Sequence, residues 1–220
     1  MIKIENVETM GWGHTIRGMR NPMNSWEKSD SKWDGSYNYF TGNPGINIGP
    51  NDHQLMMNLA HGGPVHAKYR RMITVYLDIT APLYWWKEFD TYKVGTVANS
   101  CSTMHKIHAK EFTREDFSDE HLVSAKHIMD DTAGLLDDII NYLNKNREEY
   151  LKTKDKEYWW QMIQLLPTSY NQKRTVMLNY EVLVNIYESR RHHKLDEWRE
   201  FCDWIESLPY SELIIGEQED

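Results

Sequence analysis

The 220-residue chain is poor in features that mark several large classes of protein. It has two cysteines, far apart in sequence, so a disulfide framework is excluded and we expect a reducing, cytoplasmic environment. No stretch approaches the roughly 20 apolar residues of a membrane-spanning helix, and the N-terminus lacks a signal-peptide pattern. We therefore expect no membrane partner.

Positive charge is also scarce, since 25 Lys and Arg stand against 33 Asp and Glu, giving a net charge of -8. A protein that coats nucleic acid needs a basic surface, so we expect no nucleic-acid partner. A small anionic ligand needs only a few local cations and is compatible with this charge. The chain has no glycine-rich phosphate loop of the Walker or Rossmann type.

Aromatic side chains, in contrast, are abundant, with nine Trp and thirteen Tyr. Such side chains stabilise cores and line ligand or subunit surfaces. The length suffices for one domain with its own core, and no linker-like segment divides the chain. We predict a single domain over residues 1–220, of the α/β (α+β) class, with a small sheet and several long helices.

Apolar periodicity gives a coarse assignment of these elements. Alternation predicts strands over residues 1–9 and 72–79. Irregular loops are expected over residues 27–50 and 93–104. Helices are predicted from Asn51 or Asp52 to Gly62, from Pro82 onward, over residues 120–144 and 146–166, and from Leu195 to Leu208.

The stretch from Leu165 to Arg199 carries the candidate site. Its apolar residues recur at three- and four-residue spacing, which predicts a helix to about residue 193: Val176, Tyr180, Leu183, Val184 and Tyr187. Asn179 and Arg190 are eleven residues apart, about three turns, and would lie nearly in line beside this stripe, with Asn185 on the polar back. An amide and a guanidinium there suit a planar polar ligand. An ordinary amphipathic helix with solvated Asn and Arg is the alternative.

The same stretch resembles the C-terminal signature of the flavin-dependent thymidylate synthases. The matching residues are Leu166, Pro167, Asn179, Asn185, Arg190, Glu197 and Arg199. The resemblance spans about residues 15 to 209 and includes a His-Gly pattern between Leu55 and His66, ahead of the predicted strand. It implies the fold of that family and a homotetramer with composite sites.

This resemblance also implies a chemistry, namely binding of FAD and of a pyrimidine nucleotide, dUMP or a variant. An active enzyme would be an FAD-dependent methyltransferase of dTMP biosynthesis that uses methylenetetrahydrofolate and reduced nicotinamide, with flavin hydride delivered to the pyrimidine ring. The implied cofactor-binding residues are Ser25, His66, Lys93, Asn179 and Asn185. The implied substrate-binding residues are Glu88, Asn99, Ser102 and Arg190. No catalytic residue is assigned.

The chain departs from the family at its phosphate-binding arginines. Where the family has Arg-His-Arg, this chain has Thr91, Tyr92 and Lys93, and two further arginines are replaced by Thr103 and Ile163. Arginine binds phosphate through a charged fork that Thr and Ile cannot supply. Two hypotheses therefore stay open: an enzyme that acts on a pyrimidine nucleotide, and a diverged nucleotide- or flavin-binding or regulatory oligomer without thymidylate synthase activity.

Cys101 offers two further alternatives. A cysteine in a polar loop near Lys93 suits a nucleophile that attacks a uracil ring, but a small packed residue is the commoner role. Its spacing to His105 and His108 would allow a shared metal ion, but the sequence supplies no fourth ligand, so we expect no metal.

Overall fold

The computed structural model describes residues 2–33, 35, 45–124 and 131–216. Its strands are β1 (Lys3–Met10), β2 (Lys32–Trp33), β3 (Ile46–Asn47), β4 (Thr74–Pro82), β5 (Val97–Ser100) and β6 (Asn171–Asn179). Its helices are α1 (Trp12–Arg20), α2 (Pro50–His61), α3 (Leu83–Phe89), α4 (Thr132–Thr153), α5 (Lys156–Leu165), α6 (Tyr180–Arg190), α7 (Asp196–Glu206) and α8 (Glu212–Ile215). Short 3-10 turns include Asn21–Met23, Trp26–Lys28 and Ala67–Met72.

A four-stranded sheet has the strand order β1-β4-β6-β5, and β2 and β3 form a separate antiparallel pair. The alternation in β4 confirms the predicted strand, because its apolar face is fully buried from Ile73 through Val75, Leu77 and Ile79. Pro82 was expected to open a helix but is the last residue of β4, and α3 begins one residue later. The strand predicted over residues 1–9 is also confirmed, as β1.

The single helix predicted across Val176 and Asn179 is wrong. Residues 171–179 form strand β6, and α6 begins only at Tyr180. Val176 and Leu178 are buried at the two-residue spacing of a strand, whereas Leu183 continues into the helical pattern. Both periods fit the same short apolar run, and periodicity alone does not separate them.

The two helices predicted over residues 120–144 and 146–166 have different bounds in the structure. α4 runs unbroken from Thr132 to Thr153, and residues 120–124 are not helical. Residues 125–130 of the predicted stripe lie outside the described part of the chain. The break before α5 falls at Lys154, which has a left-handed φ of 61°. A lysine there carries none of the glycine signal that usually marks a helix end.

Three smaller differences concern helix ends and short elements. Gly49 is the N-cap of α2 and Pro50 its first residue, while Asp52 is buried inside the first turn rather than capping it. Pro suits that first position because its missing N–H would have no helical partner. The expected loop over residues 93–104 contains β5, and α1 and α8 were not predicted.

The chain forms two compact units, which we call the helix-pair unit (Thr80–Glu88 and Ser100–Arg174) and the main unit (Ile2–Ile79, Phe89–Asn99 and the residues from Thr175 on). In the helix-pair unit, α4 packs on α5 around a buried apolar cluster. Its fully buried members are Ile107, Phe112, Phe117, Leu136, Ile140, Leu143 and Met162. In the main unit, α6 packs against α7, α8 and the 3-10 turn Ala67–Met72. The mixed helix-and-small-sheet class is as predicted.

Candidate functional site

A cavity of ≈ 550 Å³ in the main unit brings together Ser25 and His66, two residues that the resemblance predicts to bind a cofactor. The rest of the lining that the structure describes is largely apolar and includes one cation, Lys68: Gly18, Met19, Pro22, Met23, Leu55, Leu59, Val65, Lys68, Tyr69 and Met72. A mostly apolar cavity with a few polar groups is the usual form of a site for a planar organic ligand.

Local structure fixes the polar groups of this cavity. The Tyr69 hydroxyl donates to the Met56 carbonyl at 2.9 Å, and burial raises the pKa of Tyr69 to about 12, so its phenol stays neutral. His66 precedes the 3-10 turn and lies over Gly62, where an added Cβ would be 3.1 Å from the imidazole. The Ser25 N–H donates to the Arg20 carbonyl at 3.2 Å.

Ser25 is held further by a buried ion pair. Arg20 and Asp52 are 4% and 0% exposed, and Arg20 Nε donates to Asp52 Oδ1 at 2.6 Å. The same guanidinium donates to the carbonyls of Ser25 at 3.3 Å and Lys28 at 3.2 Å. A charge-assisted network therefore fixes the backbone that presents Ser25.

The loop after α3 contacts both ends of α6. Asn179 is the N-cap of α6, and its side-chain oxygen accepts from the Val182 N–H at 3.1 Å. Its Nδ2 faces Gly95, where an added Cβ would be only 2.8 Å away. Arg190 is the last residue of the helix, so Asn179 and Arg190 lie at its two ends, with Asn179 as a cap rather than a residue of the helix interior. With 11 residues, α6 is roughly 16 Å long.

Arg190 is held by two aromatic side chains. Its Nε donates to the Tyr92 hydroxyl at 3.0 Å. The guanidinium lies 4.9 Å from the ring of Trp198 and 5.8 Å from that of Tyr92, within the range of cation–π attraction. Tyr92 occupies the middle position of the family's Arg-His-Arg, so this contact was not predictable from the motif.

Beside this contact lies a cavity of ≈ 310 Å³ lined by Phe89, Asp90, Tyr92, Lys93, Thr96 and Ala98. Lys93 is exposed. The Thr96 hydroxyl is buried and has no hydrogen-bond partner among the described residues. The structure thus places one predicted cofactor-binding cation next to an unpartnered hydroxyl.

Ser102 lies in the helix-pair unit, in a polar cavity of ≈ 270 Å³. Its hydroxyl oxygen accepts from the N–H groups of Met104 at 3.2 Å and His105 at 2.8 Å, which closes a turn. Cys101, Thr103, Lys110 and Lys173 line the same cavity. Lys173 follows a strand pattern in β6 and carried no sequence signal for a site.

The other matched residues are spread over separate elements. Glu88 is half-buried on α3, Asn99 is exposed on β5, and Asn185 is exposed on α6. Ile163, at a former arginine position, packs against the core cluster of the helix-pair unit. Within the described ranges, no three His, Cys, Asp or Glu side chains gather as a metal site would require. No helix in these ranges is long and apolar enough to cross a membrane.

The fold is similar to that of solved flavin-dependent thymidylate synthases. Thymidylate Synthase X from Helicobacter pylori, crystallised with FAD and dUMP, has a TM-score of 0.67 at 14% identity, covering 99% of this chain and 98% of that one. A second structure of this enzyme from the same organism, also with FAD and dUMP, gives 0.67 and 14%, covering 98% of both chains. No family model and no curated protein matches the sequence.

Proposed function

We propose that this chain is a flavin-dependent thymidylate-synthase-like protein that binds FAD in the cavity lined by Ser25 and His66. The observation that carries the proposal is that Ser25 and His66 line the same cavity. The two residues come from separate elements, are predicted by the resemblance to bind a cofactor, and line one largely apolar cavity in a fold of that family. An isoalloxazine ring needs apolar walls and a few oriented polar groups, which this cavity supplies. A bound flavin would supply hydride-transfer chemistry.

The pyrimidine nucleotide is assigned to the surroundings of Arg190. The guanidinium is oriented by Tyr92 and stacked near Trp198, so it is pre-organised to donate paired hydrogen bonds to a planar acceptor. Lys93 and the unpartnered Thr96 hydroxyl line the neighbouring cavity and suit an anionic or polar part of a ligand. We further propose a homotetramer, and methylenetetrahydrofolate and reduced nicotinamide as the other reactants of an active enzyme.

Flavin binding is tested by the absorbance spectrum of the purified protein and by titration with FAD. His66→Ala and Ser25→Ala should each weaken FAD binding by about two- to tenfold, the range for one hydrogen bond. His61→Ala is the matched control, because His61 is exposed on α2 and does not line the cavity. A protein that neither purifies with flavin nor binds added FAD would refute the proposal.

Nucleotide binding is tested by titration with dUMP. Arg190→Gln should weaken binding by about ten- to hundredfold, as expected for loss of a charge-assisted hydrogen bond. Arg191→Gln, at the next position, is exposed and serves as the control. Equal affinities of the two variants would remove Arg190 from the site.

A second candidate function is ligand binding without thymidylate synthesis. Where the family has three phosphate-binding arginines, this chain has Thr91, Thr103 and Ile163, and Ile163 is half-buried against the core cluster of the helix-pair unit. Losing two such contacts would cost on the order of 3–6 kcal/mol, roughly a hundredfold to ten-thousandfold in affinity. Lys110 lines the same cavity as Thr103, but its charge is already paired with Asp116.

Complementation of a thymidine-requiring host separates the two candidates. The arginine losses lead us to expect no growth without thymidine. Growth that depends on Arg190, and that Arg190→Ala abolishes, would instead show that the phosphate site has been rebuilt from other residues. Static light scattering of the same preparation tests the tetramer, against a monomer mass of 26.2 kDa.

A further inference from the structure

A fourth cavity, beside α1 and of ≈ 200 Å³, shares no lining residue with the proposed flavin cavity. Trp26, Trp33 and Arg17 line it together. We propose that this cavity binds a planar heteroaromatic ring that carries an anionic group, as in a nucleoside 5′-monophosphate. This site goes beyond the function proposed above.

The two indoles are exposed and yet fixed. Trp26 is 49% exposed and Trp33 66% exposed, so both present large apolar surface to solvent. Trp26 Nε1 donates to Asn21 Oδ1 at 2.8 Å, which orients that ring. Trp33 lies so close to Gly13 of α1 that an added Cβ would be 2.9 Å from its Cζ2. Aromatic faces that are already oriented bind a stacking ring with less loss of conformational freedom.

The charge of the lining selects an anion. Among the residues that the structure describes, its two charged lining residues are Arg17 and Arg20, and the charge of Arg20 is balanced by buried Asp52. Arg17 is exposed, with Nη2 3.3 Å from Nδ1 of His14, and adds a net positive charge at the cavity. A guanidinium fork fits phosphate oxygens better than an ammonium does.

Two hydroxyls also line the cavity, and the Ser31 hydroxyl donates to Asp52 Oδ2 at 2.6 Å and accepts from the Gly49 N–H at 3.0 Å. The Ser29 hydroxyl fits the edge of a base. The Ser29 hydroxyl lines the cavity and donates to Asp52 Oδ2 at 2.7 Å. Its oxygen retains acceptor capacity for a ring or exocyclic N–H. At ≈ 200 Å³ the cavity is smaller than the roughly 300–1,000 Å³ of sites for drug-sized ligands, so it suits one ring system rather than a whole dinucleotide.

Isothermal titration of the full chain with adenosine 5′-monophosphate, adenosine and inorganic phosphate tests the proposal. We expect saturable binding of the monophosphate, tighter than that of adenosine or phosphate alone. Trp33→Ala should weaken it about five- to hundredfold through lost stacking. Arg17→Gln should weaken binding of the monophosphate about tenfold or more and leave the affinity for adenosine unchanged. Trp160→Ala, at a 48% exposed indole on α5, and Arg191→Gln are the matched controls.

A further variant perturbs the site without removing an aromatic group. Gly13→Ala places a methyl group against the Trp33 ring. The displaced ring should stack less well, so binding of the monophosphate should weaken. Absence of saturable binding in the millimolar range would overturn the inference, as would equal effects of Trp33→Ala and Trp160→Ala.

The flavin proposal and this one can fail separately. If the monophosphate instead bound in the flavin cavity, at the place of the adenosine half of FAD, His66→Ala would weaken its binding and Trp33→Ala would not. That result would overturn the second site and leave flavin binding supported. Binding that survives saturation with FAD and depends on Trp33 is the result that we expect.

Discussion

Replacing Asp52 by Asn should destabilise the protein more than any comparable change of a surface carboxylate. The Asp52 carboxylate accepts five hydrogen bonds: from Arg20 Nε, from the hydroxyls of Ser29 and Ser31 and from the N–H groups of Asp30 and Ser31, at 2.6–3.2 Å. An amide nitrogen in place of either oxygen would face a donor, and the buried guanidinium of Arg20 would lose its counter-charge.

The expected loss follows from burial. Breaking a buried ion pair by removing one partner costs about 3–5 kcal/mol, because the other charge stays uncompensated. For a protein of this length that lowers the melting temperature by roughly 6–20 °C. Asp138→Asn is the matched control, since Asp138 is exposed on α4. Such surface changes usually alter stability by no more than about 0.5 kcal/mol.

The effect should also depend on pH. Burial alone would raise the pKa of Asp52, but hydrogen bonds from Ser31, Ser29 and Arg20 outweigh it and hold the pKa below its ordinary value. A carboxyl whose pKa is lower in the folded state stabilises the fold above its unfolded pKa, and this stabilisation is lost as the pH falls through the folded value.

The assay is urea unfolding of the wild type and both variants, at about pH 7 and again below about pH 4. The difference between wild type and Asp52→Asn should be complete at the higher pH and shrink at the lower one. A loss under about 1 kcal/mol at neutral pH, or a difference that does not change with pH, would refute this account of the network.

Three further outcomes are expected. In native protein near neutral pH, a thiol reagent should label exposed Cys101 only, because burial raises the pKa of Cys202 to about 12; rapid labelling of both by mass spectrometry would contradict the packing. Tyr92→Phe removes the acceptor of the Arg190 hydrogen bond and should lower stability by about 1 kcal/mol in urea unfolding, with no change expected if the bond is absent in solution. Gly95→Ala forces a side chain onto a φ of 83° and into the α6 N-cap, so it should destabilise by at least about 1–2 kcal/mol, and a neutral result would exclude that contact.

Secondary structure was predictable where the apolar residues followed a single period along the sequence. β4 alternates from Thr74 to Ala81, and one face is buried from Ile73 onward, so the pattern and the packing agree. In the stretch from Val176 to Leu183 the same apolar residues fit a strand and a helix, and the hydrogen-bond partners of β6 decide between them. Those partners lie far away in sequence, as the sheet order shows, so no local pattern contains them.

The candidate site was predictable only as a set of positions. The resemblance selected Ser25 and His66 from distant segments, and the fold places both at one cavity. It did not indicate the contacts that hold the site residues, such as Tyr92 with Arg190, because a motif specifies residue types and not the rotamers that neighbours impose. No sequence motif indicated the cavity beside α1, because Trp26 and Trp33 come to line one cavity only in the folded chain.

The contacts of Arg190 affect what an arginine at this position in a related sequence says about activity. Because the side chain bridges Tyr92 and Trp198, selection for a well-packed fold is enough to retain the arginine after substrate turnover has been lost. Its persistence in a homologue is therefore weak support for activity. Lys93 and Asn185 are exposed, so neither is retained by core packing. If these two residues bind the ligands proposed above, related chains that have lost those ligands should vary first at these two positions.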